Sequence, residues 1–459
     1  MKMADNQQKV VVRMAPSPTG YFHVGSARTA LFNFLFARKH GGTFIFRSED
    51  TNDERSKREF ENNIIDCLKW LGLDYDLFVR QSERQDLYKS YVKKMLDNET
   101  AYISKEHITE VGKRGEVIRL RNPNKKITFN DVVRGKIEFD TTESGDFIIA
   151  KSISEPLYHL AVVVDDHEMN ITHVIRGEDI LSSTPRHILI QEAIGAKQPI
   201  YAHIPLILAT DRSKLSKRHG ATSVTDYKDR GILPSALINF LAFLGWNPGG
   251  QREIFTLEEL VEIFDLSKVQ KGGAIFDEKK LMWFNREHMK KLPEDVILSE
   301  IKENLVKSSR LKDKGWKIDE ILLKRAQLAI FERIERWSDV KDMANNGDLD
   351  YLFERPEIQA ELLMPRALKD SSAVERHLIS VIELLGSHDE NSWTADNIKA
   401  AVWNFATETG RNNVLWPMRV ALCGKEKSPD PFTLSYILGK NETLYRLRSA
   451  IDILSKNNV

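Results

Sequence analysis

The sequence predicts an α/β chain: a half built on a parallel sheet and interrupted by a charged insertion, then a mainly helical half. Three observations predict it. A strand–loop–helix–strand pattern opens the chain between residues 9 and 47. Apolar runs resume between residues 160 and 209 after a long polar stretch. Beyond Gly220 the apolar residues recur at helical spacing almost to the end.

Lys9 to Met14 (KVVVRM) is a short β-branched run and reads as a buried strand. The following APSPTGYFHVGS carries prolines and glycines that forbid regular structure. Ser26 is expected to cap the next helix, on which Ala27, Ala30, Leu31, Phe34 and Leu35 share a face. Gly41 and Gly42 end it, and Thr43 to Arg47 reads as a second strand, which completes a βαβ unit. Asp53 to Leu71 and Asp86 to Leu96 read as amphipathic helices.

Thr100 to Ser154 is charged and reads as strand-poor, an insertion between two halves of the sheet. Strands are expected again at Leu160 to Val164, Thr172 to Arg176 and Ile204 to Ala209, with a helix starting near Pro185. TDRSKLSKRHG is a polar loop, and Pro234 opens a helix with Leu237, Phe240, Leu241 and Leu244 on one face. From about Pro293 onward the pattern is helical.

Composition sets limits. A chain of 459 residues implies more than one domain. Lys+Arg and Asp+Glu both number 67, so an indiscriminate polycation is excluded, while a local basic face for RNA is not. No apolar run approaches the roughly 20 residues that span a bilayer. The start, MKMADNQQKV, does not read as a signal peptide. Two distant cysteines, Cys67 and Cys423, read as buried thiols rather than a disulfide or zinc framework.

Two constellations carry chemistry. The turn from Pro16 to Ser26 (PSPTGYFHVGS) lies between a strand and a helix N-terminus, where free backbone N–H groups suit a phosphate. In it Gly25 permits close approach of a nucleotide, and His23 can donate to a phosphate oxygen. Lys214-Leu215-Ser216-Lys217-Arg218 sets donors together on a loop, able to neutralise charge on a departing pyrophosphate. Each alone reads equally as a turn or a solvated basic loop. Their order, one after the first strand and the other after the last, is far more specific.

With VVRMAPSPTGYFHVGSARTALFN, FRSEDTN, LKWLGLDYD, RQSER, YHLAVVVDDHEMNITHVIRGEDILSSTPRH, KLSKRHGA, FDEKKLMWFN, WPMRVALCG and SPDPFTLSYILGK in that order, the chain resembles the class I aminoacyl-tRNA synthetases, specifically their bacterial glutamyl branch. The resemblance implies a Rossmann-type catalytic domain in two parts (1–99 and 155–220), divided by a shortened acceptor-end-binding insertion (100–154). A helical stem-contact domain (221–300) and a helical anticodon-binding domain (301–459) would follow. It implies ligation of L-glutamate to tRNA(Glu) through a glutamyl-adenylate, with ATP consumed as a substrate in company with Mg2+, and it leaves tRNA(Gln) open as a second acceptor.

Residue by residue, the resemblance places Arg13, Ala15, Ser17, Glu49, Tyr158 and Arg176 around glutamate. Pro16, Gly25, Ser26, Asp179, Lys217 and Arg218 fall around ATP, and His23, Lys214, Ser216 and Lys217 at the reacting phosphates. Two arginines with one acid match the charge of the ligand, and a neutral amide would leave an arginine short of its counter-ion. The turn differs from that of glutamine-using relatives at Ser17-Pro18-Thr19. Asp165-Asp166-His167 reads as a turn after a buried strand rather than a metal site, and His203 as a strand-end residue without a catalytic role.

The insertion departs from the pattern: it lacks cysteines, so no zinc is expected. Lys105, Lys113, Arg114, Arg119 and Arg121 remain available for phosphates. Arg366, Trp393, Trp403, Arg411, Trp416 and Arg419 offer stacking and phosphate contacts in the last domain, though most of the tryptophans read as core. A cytoplasmic monomer is expected, with no membrane partner. The truncated relative that glutamylates a modified tRNA base lacks the helical half and the intact lysine loop. A catalytically dead RNA-binding derivative would have lost His23, Arg13, Arg176 or Lys217.

Overall fold

The computed structural model describes residues 9–52, 54–106, 115–216, 220, 222–366, 368 and 370–456. Lys113, Arg114, Lys217 and Arg218 lie outside them, as does the start of the chain. Two compact units divide the molecule, Met1–His288 and Met289–Val459.

The first unit opens with β1 (Val11–Met14), α1 (Val24–Lys39), β2 (Thr43–Ser48), α2 (Arg58–Trp70) and β3 (Leu77–Arg80), and the three strands pair in parallel in that order. Helix α1 runs against this sheet with Ala27, Leu31, Phe32 and Leu35 fully buried, each large side chain contributing about 1.5–3 kcal/mol. It begins at Val24, not after Ser26: the cap is His23, whose Nδ1 accepts from the Gly25 amide at 3.0 Å. Helix α3 (Gln85–Asp97) follows.

The segment expected to be strand-poor is in fact rich in strands. It holds β4 (Ala101–Lys105), β5 (Glu116–Leu120), β6 (Lys126–Asp131), β7 (Gly135–Asp140), β8 (Phe147–Ser152) and β9 (Glu155–Pro156). Strands β4, β5, β8 and β9 form an antiparallel sheet, while β6 and β7 form a hairpin. Along β6 the buried residues Ile127, Phe129 and Asp131 alternate with exposed ones. A strand half open to water interleaves charge with apolar residues and so reads as polar.

The reverse error fell on residues 160–164. Helix α4 (Tyr158–Glu168) replaces the expected strand, and Asp165-Asp166-His167 lies inside it. Five consecutive apolar residues buried on all sides fit a core helix as well as a core strand. Next come β10 (His173–Gly177), α5 (Thr184–Ile194) with Pro185 in its first turn, and β11 (Ile200–Ile204). Strand β11 stops before Pro205, which lacks an N–H; Ile207–Leu208 then pairs with Ala274–Ile275.

Strand β10 pairs in parallel with β11, and β11 is joined by β6 through Tyr201 and Asp131. On its other side β10 is tied to β1: Thr172 donates its amide to the Val11 carbonyl at 2.9 Å and accepts the Val11 amide on its hydroxyl at 2.9 Å. The ends of β1, β2, β10 and β11 therefore gather on one edge, where α/β sheets take ligands. The helix expected from Pro234 spans Pro234–Ala242.

The second unit is helical among its described residues, from Glu294–Val306 to Lys440–Lys456. Trp393 is buried there and donates Nε1 to the Ser435 carbonyl at 2.9 Å; Trp416 donates to the Leu362 carbonyl at 2.9 Å. No described helix is long and apolar enough to cross a membrane.

Candidate active site

At the edge where β1, β10 and α1 meet lies a cavity of about 410 Å³. Its wall brings together eleven of the predicted site residues: Arg13, Ala15, Pro16, His23, Gly25, Ser26, Glu49, Tyr158, Arg176, Asp179 and Lys214. Ser17 is exposed on the turn and, like Ser216, is not among the lining residues. Lys217 and Arg218 fall outside the described residues.

Arg13 projects from β1 and is 4% exposed. Its Nε and one terminal nitrogen donate to the two Asp166 oxygens at 3.1 and 3.4 Å. Arg47, fully buried on β2, donates to the same Asp166 at 2.8 Å and to Glu49 at 3.2 Å. Asp165 receives Arg84 at 2.7 Å, Gln81 at 2.8 Å and the Tyr88 hydroxyl at 2.9 Å. The two aspartates of α4 are thus buried anchors for arginines. Burial opposes the charge of Asp166, but Arg13 and Arg47 outweigh it and hold the carboxyl below the ordinary range. Burial also raises Glu49, to about 7, against the pull of Arg47 and Arg13.

Arg176, on β10, is equally buried but has different company. Its Nε donates to His203 Nε2 at 3.1 Å, and its terminal nitrogens reach His187 Nδ1 at 3.0 Å and the Thr184 hydroxyl at 2.8 Å. None of these partners is a carboxylate. Burial, and then Arg13 nearby, lower its pKa, so its charge is under strain until an anion arrives. Burial and the Arg176 charge push His187 well below its usual value, leaving it a neutral acceptor. Tyr158 stands in the same wall with its pKa raised by burial and then by Glu49.

Another part of the cavity wall is built from the N-terminus of α1. Because His23 Nδ1 accepts from Gly25, the ring proton resides on Nε2. A Cβ at Gly25 would stand 3.3 Å from that same Nδ1, so the cap leaves little room for a larger residue. Lys214 meets Asp179 at 3.1 Å in an exposed pair at the cavity mouth.

Several lining or supporting groups escaped the sequence reading. Arg28, buried on α1, donates to the Leu244 carbonyl at 2.9 Å and to that of Pro205, and burial lowers its pKa to about 10. Asp166, Thr184, His187 and His203 act behind the wall; the first three lie within the motif YHLAVVVDDHEMNITHVIRGEDILSSTPRH, which by itself assigns them no role. Among the described residues no three His, Cys, Asp or Glu side chains cluster as a metal would need, and Cys67 and Cys423 are buried free thiols.

Comparisons with known proteins show the family. The family model for the catalytic domain of class I tRNA synthetases (E and Q) matches residues 9–115 and 105–283, and an anticodon binding domain model matches 273–451. The chain is 40% identical to the glutamate–tRNA ligase of Thermodesulfovibrio yellowstonii, covering 96% of this chain and 99% of that one. It is 38% identical to that of Desulforamulus reducens, again over 96% and 99%. A crystal structure of a glutamate tRNA ligase from Elizabethkingia meningosepticum, in complex with its amino acid, superposes with a TM-score of 0.85 at 31% identity. That match covers 97% of this chain and all of the other.

The fold is that of a class I aminoacyl-tRNA synthetase. Within that class the chain belongs to the glutamate–tRNA ligase family. It is an enzyme that aminoacylates transfer RNA with glutamate at the expense of ATP, by the two-step route general to its class.

Proposed function

We propose that Arg176 and Arg13, with Tyr158, take the two carboxylates of glutamate, while Glu49, with Ser17 on the turn, faces its ammonium and Ala15 lines the pocket. The observation that carries this reading is the Arg176 guanidinium, buried in the cavity wall with three neutral partners and no acid. A bound carboxylate supplies the missing counter-charge. Glutamine, with a neutral amide, leaves one of the arginines short of it, a difference of roughly 3–5 kcal/mol in a buried site.

ATP then lies along Pro16, Gly25 and Ser26, with His23 Nε2 donating to a phosphate oxygen and Asp179 nearby. Lys214, Ser216, Lys217 and Arg218 close over the phosphates. The glutamate α-carboxylate attacks the α-phosphorus, the bond to pyrophosphate breaks, and glutamyl-adenylate forms. The terminal ribose hydroxyl of tRNA next attacks the acyl carbon and AMP leaves. The first step needs no side chain as base, because its nucleophile is already an anion and positioning and charge neutralisation suffice; in the second, the hydroxyl gives up its proton to the phosphate of the departing AMP. Magnesium enters with the triphosphate as part of the substrate. Asp179, the acid in the nucleotide wall, is occupied by Lys214, so no step is assigned to a protein-held metal.

The domain roles follow the same reading: residues 1–99 and 155–220 activate glutamate, 100–154 hold the acceptor end, 221–300 contact the stem and 301–459 read the anticodon. The enzyme is proposed to act as a cytoplasmic monomer on tRNA(Glu). Charging with labelled glutamate, using purified tRNA(Glu) and tRNA(Gln) in separate reactions, tests it. Charging of tRNA(Glu) is the expected result; charging of tRNA(Gln) as well would mark a relaxed anticodon reader, no charging of it a discriminating one, and charging of neither would overturn the proposal.

A further inference from the structure

His203 lies behind Arg176, fully buried at the end of β11, and makes no part of the cavity wall. Its Nδ1 is 2.6 Å from Asp131 Oδ2. The Asp131 carboxylate is surrounded by donors: the amides of Val133 and Arg134 reach Oδ1 at 2.9 and 2.8 Å, and the His203 amide reaches Oδ2 at 3.1 Å. Burial pushes the Asp131 carboxyl up, but these donors outweigh it and keep it ionised. Burial pushes His203 down despite Asp131, so the ring is neutral. An ionised carboxylate can only accept, so the single ring proton of His203 sits on Nδ1, and Nε2 presents a lone pair to Arg176 Nε at 3.1 Å.

We propose that Asp131 and His203 are positioning residues of the amino-acid site, Asp131 selecting the His203 tautomer that accepts from Arg176 and so fixing where the guanidinium points. Three of its five N–H groups are spent on His203, Thr184 and His187, which leaves one hydrogen on each terminal nitrogen. A carboxylate takes up such a pair bidentately where the two hydrogens are parallel. The other tautomer would set an N–H on Nε2 against the Arg176 Nε–H and push the guanidinium away. Asp131 comes from the β6–β7 hairpin, so the segment that interrupts the catalytic sheet also completes the amino-acid site. The proposal rests on the reading of Arg176 as a carboxylate receptor.

Asp131→Asn is the incisive variant. Turning its amide nitrogen to the Val133 and Arg134 amides would oppose two donors, whereas turning it to His203 opposes only that residue's backbone amide, so the nitrogen turns to His203 and drives the ring proton to Nε2. Charging kinetics of Asp131→Asn, His203→Asn and Arg176→Ala, beside ring 15N shifts of His203, read the outcome. We expect the parent enzyme to show a protonated Nδ1 and an unprotonated Nε2, and Asp131→Asn to reverse them. The glutamate KM of Asp131→Asn should rise about tenfold to a hundredfold, with the ATP KM within about twofold, as for a receptor group displaced by a fraction of an ångström. His203→Asn, which removes the acceptor without altering Asp131, should show the same glutamate-specific rise and serves if Asp131→Asn does not fold. A parent His203 protonated on Nε2, or native glutamate KM in both variants while Arg176→Ala raises it, would overturn the positioning role alone. So would equal rises in the glutamate and ATP KM. Native glutamate KM in Arg176→Ala would instead overturn the pocket reading beneath it.

Discussion

The two arginines of the pocket stand in opposite electrostatic settings. Arg13 is backed by the acids of α4, with Asp166 shared between it and Arg47 and Asp165 holding Arg84 and lying 3.7 Å from Arg47. Arg176 is backed by neutral imidazoles and a hydroxyl. The first is a closed charge network in which the protein supplies its own counter-ions. The second is open and keeps its compensation for the ligand. A site of this kind needs both: a rigid cation that defines the pocket, and an uncompensated one that rewards an anion.

If the comparison is right, breaking the closed side costs stability more than binding. Asp166→Ala leaves Arg13 and Arg47 buried with reduced compensation, and should lower the unfolding free energy by about 3–5 kcal/mol in denaturant titration. A loss under about 1 kcal/mol would mean the network is not closed as described.

A smaller effect should appear in pH dependence. Glu49, raised to about 7 by burial, must be ionised to face the substrate ammonium. The ionised fraction grows as pH rises through that value, so the glutamate KM should fall from pH 6 to 8, up to about tenfold per unit on the acid side. Glu49→Gln should flatten this profile, and an unchanged slope would remove Glu49 from the role. Smallest of all is the stability effect of Lys214→Ala. Its pair with Asp179 is exposed, so the unfolding free energy should change by roughly 0.5 kcal/mol or less, while adenylate formation slows. Stability loss without slower activation would make the pair structural.

Much of the closed framework was legible in the sequence because its signals are local. VVRM and TFIFR are strands, Pro185 lies in a helix's first turn, and a turn follows the first strand as expected, though it ends at the His23 cap rather than at Ser26. The pocket residues came from matching ordered motifs, and eleven of them share one cavity. What was not legible depends on tertiary neighbours. The run LAVVV in α4 is apolar because it is buried on all sides, which erases the periodicity that separates helix from strand. That misreading also hid Asp165 and Asp166, which anchor the arginines. The hairpin at 126–140 looked featureless because one face meets water. His203 is set against Asp131 from 72 residues away, a pairing no spacing rule finds.

The most direct test of the account is the glutamate KM of Arg176→Ala in transfer-RNA charging, measured beside its melting temperature. Without Arg176, the Thr184 hydroxyl, 3.1 Å from His203 Nε2, can still satisfy that acceptor, so the fold should melt nearly as before. The account predicts a glutamate KM raised about a hundredfold, near 3 kcal/mol, with the ATP KM little changed. A glutamate KM equal to that of the parent enzyme would contradict it.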